Sequence, residues 1–207
     1  MYDRRIPRGV THIVGVDEAG RGPLAGPVAI GAVAVSVFDF EEIFSGTFSG
    51  VKESKQLSSL RREEWFTCLR RATRGGALLY SSSFGSARGI DRFGIVPTTA
   101  RALARAVADL SLDPSRTLVL LDGGLKAPEH FPHQQTIIRG DESVSLIALA
   151  SIVAKVLRDR AMVRCAKKYP EYGFERHKGY GTAFHYAQIE KYGVSPAHRK
   201  SFLRGVV

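Results

Sequence analysis

The sequence predicts an α/β fold on a mixed sheet, and three observations predict it. Runs rich in Val, Ile, Leu and Ala alternate along the chain with segments of helical period. One run, Leu118–Leu121, is apolar throughout, the pattern of a short strand buried on both faces. Glycines and acids gather where the runs stop, as turns require. The 207 residues suit one domain, with a core over about 10–168 and a basic helical C-terminal segment over about 169–207.

The elements follow in order. His12–Asp17 reads as a first strand and Val28–Phe38 as a second, joined through a glycine-rich connection. Ser45–Gly50 is a loop. Ser58 and Ser59 cap a helix running to about Ala72. Ala77–Ser83 is a strand and Thr98–Leu110 a helix stopped by Asp113-Pro114. After Leu118–Leu121 come Asp122-Gly123-Gly124 and then a strand over Gln134–Ile138. Ser143–Lys168 is the longest helix, ended by Pro170, and a short helix covers Phe184–Tyr192. Ala148, Ala150, Ser151 and Ala154 let the long helix approach the sheet closely.

Composition excludes several classes. The longest nearly uncharged run, Val28 to Phe38, is too short to span a membrane as a helix. The charged start (Asp3, Arg4, Arg5, Arg8) is not followed by the apolar stretch of a secretory signal. Cys68 and Cys165 stand alone, which points to reduced thiols and a cytoplasmic location. A net charge of +10 favours a polyanionic partner. From Ala161 to Val207, nine Lys/Arg face three Glu, so His177, Lys178, His198 and Arg199 are expected at the phosphate backbone or in solvent. No heptad or apolar stripe calls for a second copy, so a monomer is expected.

The chemistry concentrates where strands end. Val16-Asp17-Glu18-Ala19-Gly20-Arg21-Gly22-Pro23 sets two carboxylates beside a glycine-bracketed arginine. Acids there suit a hard, oxygen-ligated cation, and the turn offers amides and a guanidinium to an anionic polymer. It is not a P-loop, since Pro27-Val28 follows Gly26, and the spacing of Gly20, Gly22 and Gly26 is not the dinucleotide fingerprint. Asp122 ends the buried strand and Asp141 precedes the long helix. Ligands in open α/β sheets collect outside the carboxyl ends of strands. Asp17, Glu18, Asp122 and Asp141 therefore face one rim, although Asp122 also suits a turn and Asp141 a helix cap. Clustered carboxylates need neutralising cations, and nucleases commonly hold two, roughly 3.5–4 Å apart. His130 and His133 lack acid or cysteine partners nearby and read as loop residues.

In this order the motifs resemble ribonuclease HII, the bacterial type 2 ribonuclease H. Gly15-Val16-Asp17-Glu18-Ala19-Gly20-Arg21-Gly22-Pro23-Leu24-Ala25-Gly26 opens the likeness, and Ser54-Lys55-Gln56-Leu57-Ser58 follows. Asp122-Gly123, Gly140-Asp141, Ala150-Ser151-Ile152-Val153-Ala154-Lys155 and Arg158-Asp159 continue it. Tyr172-Gly173-Phe174, His177-Lys178-Gly179-Tyr180 and His198-Arg199-Lys200-Ser201-Phe202 complete it, over about Ile13 to Phe202.

The resemblance implies an RNase H-like fold, a mixed five-stranded sheet flanked by helices with a helical C-terminal part. It implies endonucleolytic cleavage of RNA in RNA–DNA hybrids and incision at ribonucleotides embedded in duplex DNA. The implied metal ligands are Asp17, Glu18, Asp122 and Asp141, holding Mg2+ or Mn2+, with two ions per site during catalysis. Gly20, Arg21 and Gly22 become the ribose-sensing turn and Tyr180 the junction reader. Lys55 precedes a helix whose start could hold a phosphate. The chain departs from the family pattern at Glu53 (usually Asp), Gly94 (Asn), Leu149 (a small residue) and Gly181 (Pro). The short stretch after Phe202 leaves little room for a clamp-binding peptide, so none is expected. Competing readings are a resolvase-like two-metal nuclease and a non-catalytic nucleic-acid-binding module.

Overall fold

The computed structural model describes residues 6–203. The expected absence of a clamp-binding tail falls largely on residues 204–207, outside the described residues. The five strands are β1 (His12–Ala19), β2 (Val28–Ser36), β3 (Leu79–Gly85), β4 (Thr117–Asp122) and β5 (His133–Ile137). Their order in the sheet is β3-β2-β1-β4-β5. β1 pairs antiparallel with β2, and β2 with β3, while β1–β4 and β4–β5 are parallel. The predicted mixed sheet is present, with β4 buried between two strands.

Helices cover both faces. They are α1 (Phe40–Ser45), α2 (Ser59–Arg74), α3 (Ala87–Phe93), α4 (Ile95–Ala108), α5 (Gly140–Ser143), α6 (Ser145–Lys168), α7 (Phe174–His177) and α8 (Ala183–Tyr192). The Ser58 hydroxyl caps α2 by accepting from the Arg61 amide, as expected of that serine. On one face Ile13, Val33, Leu118 and Leu120 pack against Phe66 and Leu69 of α2 and the apolar side of α6. On the other, Val14, Val16, Val119 and Leu121 pack against Ala102, Leu103, Ala106 and Val107 of α4. Odd and even strand positions thus serve different cores, the period-2 consequence of the pleat.

The long helix lies on the sheet backbone itself. A Cβ on Gly15 would sit 2.6 Å from the Leu146 carbonyl, and one on Gly31 would sit 2.2 Å from the Ala150 oxygen. The close approach therefore depends on bare glycines in the strands as much as on the small residues of α6. Leu149, a departure from the family pattern, is fully buried and accommodated.

Several boundaries differ from expectation. β1 runs two residues further, through Glu18 to Ala19, because the ladder with β2 continues to Ala19–Ala29. β2 stops at Ser36, and α1 and α3 form in stretches to which the sequence pattern assigned no element. The expected single helix from Ser143 is two, broken at Val144, whose extended backbone (φ −126, ψ 110) separates α5 from α6.

The C-terminal segment is built into the fold. Tyr172, Phe174, Ile189 and Leu203 form a third buried cluster with Met162 and Ala166 of α6 and with Leu24 and Ala25. A β-bridge joins Ala25 to His198, and the Arg199 amide donates to the Leu24 carbonyl. Among the described residues, no helix is long and apolar enough to cross a membrane.

Candidate active site

The parallel register of β1 and β4 decides the centre of the site. Val16 pairs with Leu121, so Asp17 and Asp122 are the next residues on adjacent strands. Both belong to the odd–even set that faces α6, so their carboxylates lie side by side. The amides of Gly140 and Asp141 donate to Asp122 Oδ1 at 2.7 and 3.4 Å. Asp122 thereby fastens the start of α5 to the end of β4, which brings in Asp141. Ligand oxygens of Asp17, Asp122 and Asp141 lie within 4.8 Å of one another.

Electrostatics explains what such a cluster needs. Burial pushes the Asp17 carboxyl well above the usual range, and the facing charges of Glu18, Asp122 and Asp141 push it further. Burial and Asp141 also raise Asp122. Asp17 Oδ1 already accepts the Glu18 amide at 2.7 Å. Asp122 Oδ1 is likewise engaged, leaving the second oxygen of each carboxylate for a cation. This donor set is all oxygen and self-repelling, so it fits a hard divalent ion.

A second acidic group shares Asp141, joining it to Glu53 and Glu142 within the same 4.8 Å limit. Glu53 is buried, and its hydrogen bond with Asp141, followed by burial, raises its carboxyl. In the sequence Glu53 stands out only as a departure from the family pattern. The available signal was the position of Glu53 two residues before Lys55.

The other predicted residues are placed as follows. Glu18 has the opposite strand parity, stands outside the aspartate triad and pairs with Arg21 at 3.4 Å. The first strand, expected to end at Asp17, continues to Ala19, so Glu18 points to the opposite face of the ladder while its charge still reaches Asp17 and Asp122. Lys55 sits in a 3-10 turn, Ser54–Gln56, and its ammonium reaches Asp141 at 3.2 Å and Glu53 at 3.9 Å. It points at the acids rather than serving the start of α2. Gly20 is buried with φ 90, whereas Arg21 and Gly22 are exposed. Tyr180 is 43% exposed, and its ring lies 5.7 Å from the Arg158 guanidinium. At Gly181 an added Cβ would meet the Tyr186 hydroxyl at 2.9 Å, so proline there requires that tip to move.

His198 and Arg199 correct the expectation of a solvent- or phosphate-facing basic tail, because both are buried. The Ser195 amide donates to His198 Nδ1 at 3.0 Å, leaving the proton on Nε2. That Nε2 faces His185 Nε2 at 3.1 Å, so His185 carries its proton on Nδ1 and donates to the Tyr180 carbonyl at 2.9 Å. His177 stacks on His185. Two neutral rings thus support the backbone at Tyr180, and protonating either would set two N–H groups face to face. Burial, with His185 beside it, pushes His198 down to about 4 from the ordinary 6.5. The unfolded chain then binds this proton before the folded one does. Stability is lost as pH falls from about 6.5 towards about 4. Between pH 7 and pH 5 we expect a loss of about 2 kcal/mol from this site. Urea unfolding of wild type and His198→Gln at both pH values checks it, and equal losses in the two proteins would refute it.

The comparisons decide the family. The family model described as Ribonuclease HII matches residues 14–205. The chain belongs to the ribonuclease HII family. A ribonuclease HII from Bacillus cytotoxicus is 42% identical over 94% of this chain and 70% of its own length. One from Coxiella burnetii (strain Dugway 5J108-111) is 43% identical over 92% of this chain and 87% of its own. Among solved structures, the ribonuclease H2 of Pyrococcus horikoshii superposes with a TM-score of 0.76 at 26% identity, covering 94% of this chain and 96% of that one. As a ribonuclease HII family member, the chain is an endoribonuclease of the ribonuclease H type, a hydrolase dependent on divalent metal and acting on RNA–DNA hybrids.

Proposed function

We propose that this ribonuclease HII also incises duplex DNA at single embedded ribonucleotides, leaving 5′-phosphate and 3′-hydroxyl ends, with two divalent ions, Mg2+ or Mn2+, at the acid cluster. The observation that carries this reading is the pair of acidic groups sharing Asp141, beside the Gly20–Gly22 turn. Asp17, Asp122 and Asp141 would hold one cation, with Asp141, Glu53 and Glu142 offering oxygens for a second. The bound cations would supply Lewis acidity and neutralise charge at the reacting phosphate.

The chain's own groups do the rest. Lys55, an ammonium against Asp141 and Glu53, limits their mutual repulsion and offers a charge to the phosphate. Arg21 holds Glu18 at 3.4 Å, so a phosphate that draws Arg21 away frees Glu18 for the metal site. The Gly20–Gly22 backbone approaches the ribose 2′-OH, which both donates and accepts hydrogen bonds and distinguishes RNA from DNA. Tyr180 packs its exposed ring on the neighbouring deoxyribose. The paired acids at a strand rim set this reading above a non-catalytic binding module, since unneutralised they would repel phosphate. Unpaired Cys68 and Cys165 suit a reducing cytoplasm. The enzyme acts as a monomer in this reading.

Two matched duplexes test it, one with a single ribonucleotide and one all DNA, each with added Mg2+ or Mn2+. We expect a single incision at the ribonucleotide and none in the all-DNA duplex. Equal cleavage of both would favour a resolvase-like nuclease, and cleavage of long hybrids alone would remove the embedded-ribonucleotide reading.

A further inference from the structure

Two arginines lie under the Gly20-Arg21-Gly22 turn with no carboxylate in ion-pair contact. Arg158 and Arg199 are both 0% exposed, and neither forms an ion pair among the described residues. Instead they bind backbone carbonyls. Arg199 donates from Nε to Gly26, from Nη1 to Arg21 and from Nη2 to Gly20, at 2.9, 2.7 and 2.6 Å. Arg158 donates from Nε to Pro27 at 3.0 Å and from Nη2 to Lys178 at 2.9 Å, while its Nη1 has no partner. Burying two guanidiniums without acids is a poor way to stabilise a fold, since apolar side chains of similar volume commonly do as well or better. Their presence calls for another benefit.

The carbonyl directions identify it. Every peptide bond described is trans, so C=O and the following N–H point opposite ways. Pulling the Gly20 and Arg21 oxygens inward turns the Arg21 and Gly22 amides outward. Both residues are exposed, and neither amide donates to a protein acceptor among the described residues. We propose that Arg199, backed by Arg158, is a positioning residue for sugar recognition. It holds two adjacent amides outward as a preformed donor pair for the 2′-hydroxyl. This rests on the reading that the turn contacts the ribose.

Three further features fit. Gly20 is pinned, because a Cβ there would fall 1.8 Å from Arg158 Nε. Arg158 also lies 5.7 Å from the Tyr180 ring and binds the Lys178 carbonyl, so one side chain joins the turn to the tyrosine loop. The segment carrying Arg199 is anchored from α3, where Asp91 accepts from the Lys200 and Ser201 amides at 3.0 and 2.9 Å. A donor array held in place before substrate arrives costs no reorganisation on binding. A lysine cannot replace the fork, because one ammonium cannot span carbonyls that a planar guanidinium reaches from three nitrogens.

The test measures affinity for the two matched duplexes, with Ca2+ as the divalent ion, and reads the ratio of their dissociation constants. Arg199→Lys should bring a wild-type preference for the ribonucleotide down by about tenfold, the worth of roughly one good hydrogen bond to the sugar. Affinity for all-DNA duplex should stay within about twofold, since phosphate contacts dominate that term. Asp91→Ala, which loosens the anchor without touching the turn, should lower the ratio a few fold and decides the matter if Arg199→Lys does not fold. Gly22→Ala separates the two ideas, because a Cβ there meets no protein atom. If wild type shows no preference, or Gly22→Ala retains it in full, the ribose reading of the turn is wrong and the proposal falls with it. If Gly22→Ala abolishes the preference while folded Arg199→Lys or Asp91→Ala keeps it, the turn reads ribose and Arg199 does not position it. An equal loss of affinity for both duplexes in Arg199→Lys marks a merely structural arginine and also overturns the proposal.

Discussion

Asp17→Asn abolishes cleavage of an RNA–DNA hybrid, by about three orders of magnitude or more, while duplex affinity holds or rises. The substitution keeps shape and removes one charge from the triad Asp17, Asp122 and Asp141. On the proposed metal site, a cation that would supply several kcal/mol of charge stabilisation would lose a ligand at its centre. Affinity holds because one fewer carboxylate repels phosphate. The same change stabilises the metal-free protein. The folded-state pKa of Asp17 is raised, so its ionised form at neutral pH is disfavoured by folding, and stability falls as pH rises through that pKa. Removing the charge recovers that loss. In thermal unfolding, wild type gains stability on adding Mg2+ or Mn2+ by mass action, and Asp17→Asn starts higher but gains less. Near-normal turnover, or an undiminished gain with metal, would remove Asp17 from the metal site.

The second large effect is on substrate choice. Tyr180→Ala reduces cleavage at a single embedded ribonucleotide by roughly 1–3 kcal/mol more than within a long hybrid, if the contact resembles aromatic packing in single-strand binders. At an isolated ribonucleotide the next sugar is a deoxyribose, which presents an apolar face to the ring. In an RNA run that sugar carries a hydroxyl, and the packing is poorer from the start. The ring is half-exposed at the surface, with Arg158 behind it and the histidine-supported carbonyl of its own residue fixing the backbone. The measurement is the ratio of kcat/KM on the two substrates. An equal fall on both would make Tyr180 a general binding residue.

Much of this was legible in the chain. Strand and helix order followed from hydrophobic period, and Asp17, Glu18, Asp122 and Asp141 could be assigned to one rim because ligands collect outside the carboxyl ends of strands. The helix start at Ser58 was readable because a cap is a local contact between a hydroxyl and an amide a few residues on. The boundary at Asp17 was not, since the ladder of β1 is extended by Ala29 and Ile30 on another strand. Nor was the break at Val144, since Asp122 at the end of β4 holds the amides that begin α5.

The sequence by itself determined the alternation of strands and helices, the acids available to a cation, the basic charge and the family likeness, because each is carried by residue type and local spacing. Only the tertiary structure decided which face each acid takes, that Glu53 and Lys55 meet Asp141, and that His198 and Arg199 leave the surface to support the Gly20–Gly22 turn and the Tyr180 loop. Those facts depend on strand register and on a C-terminal segment folding back over residues 20–27. A periodic pattern reports whether a residue is buried in its own element, but not which distant backbone carbonyl a buried arginine will find.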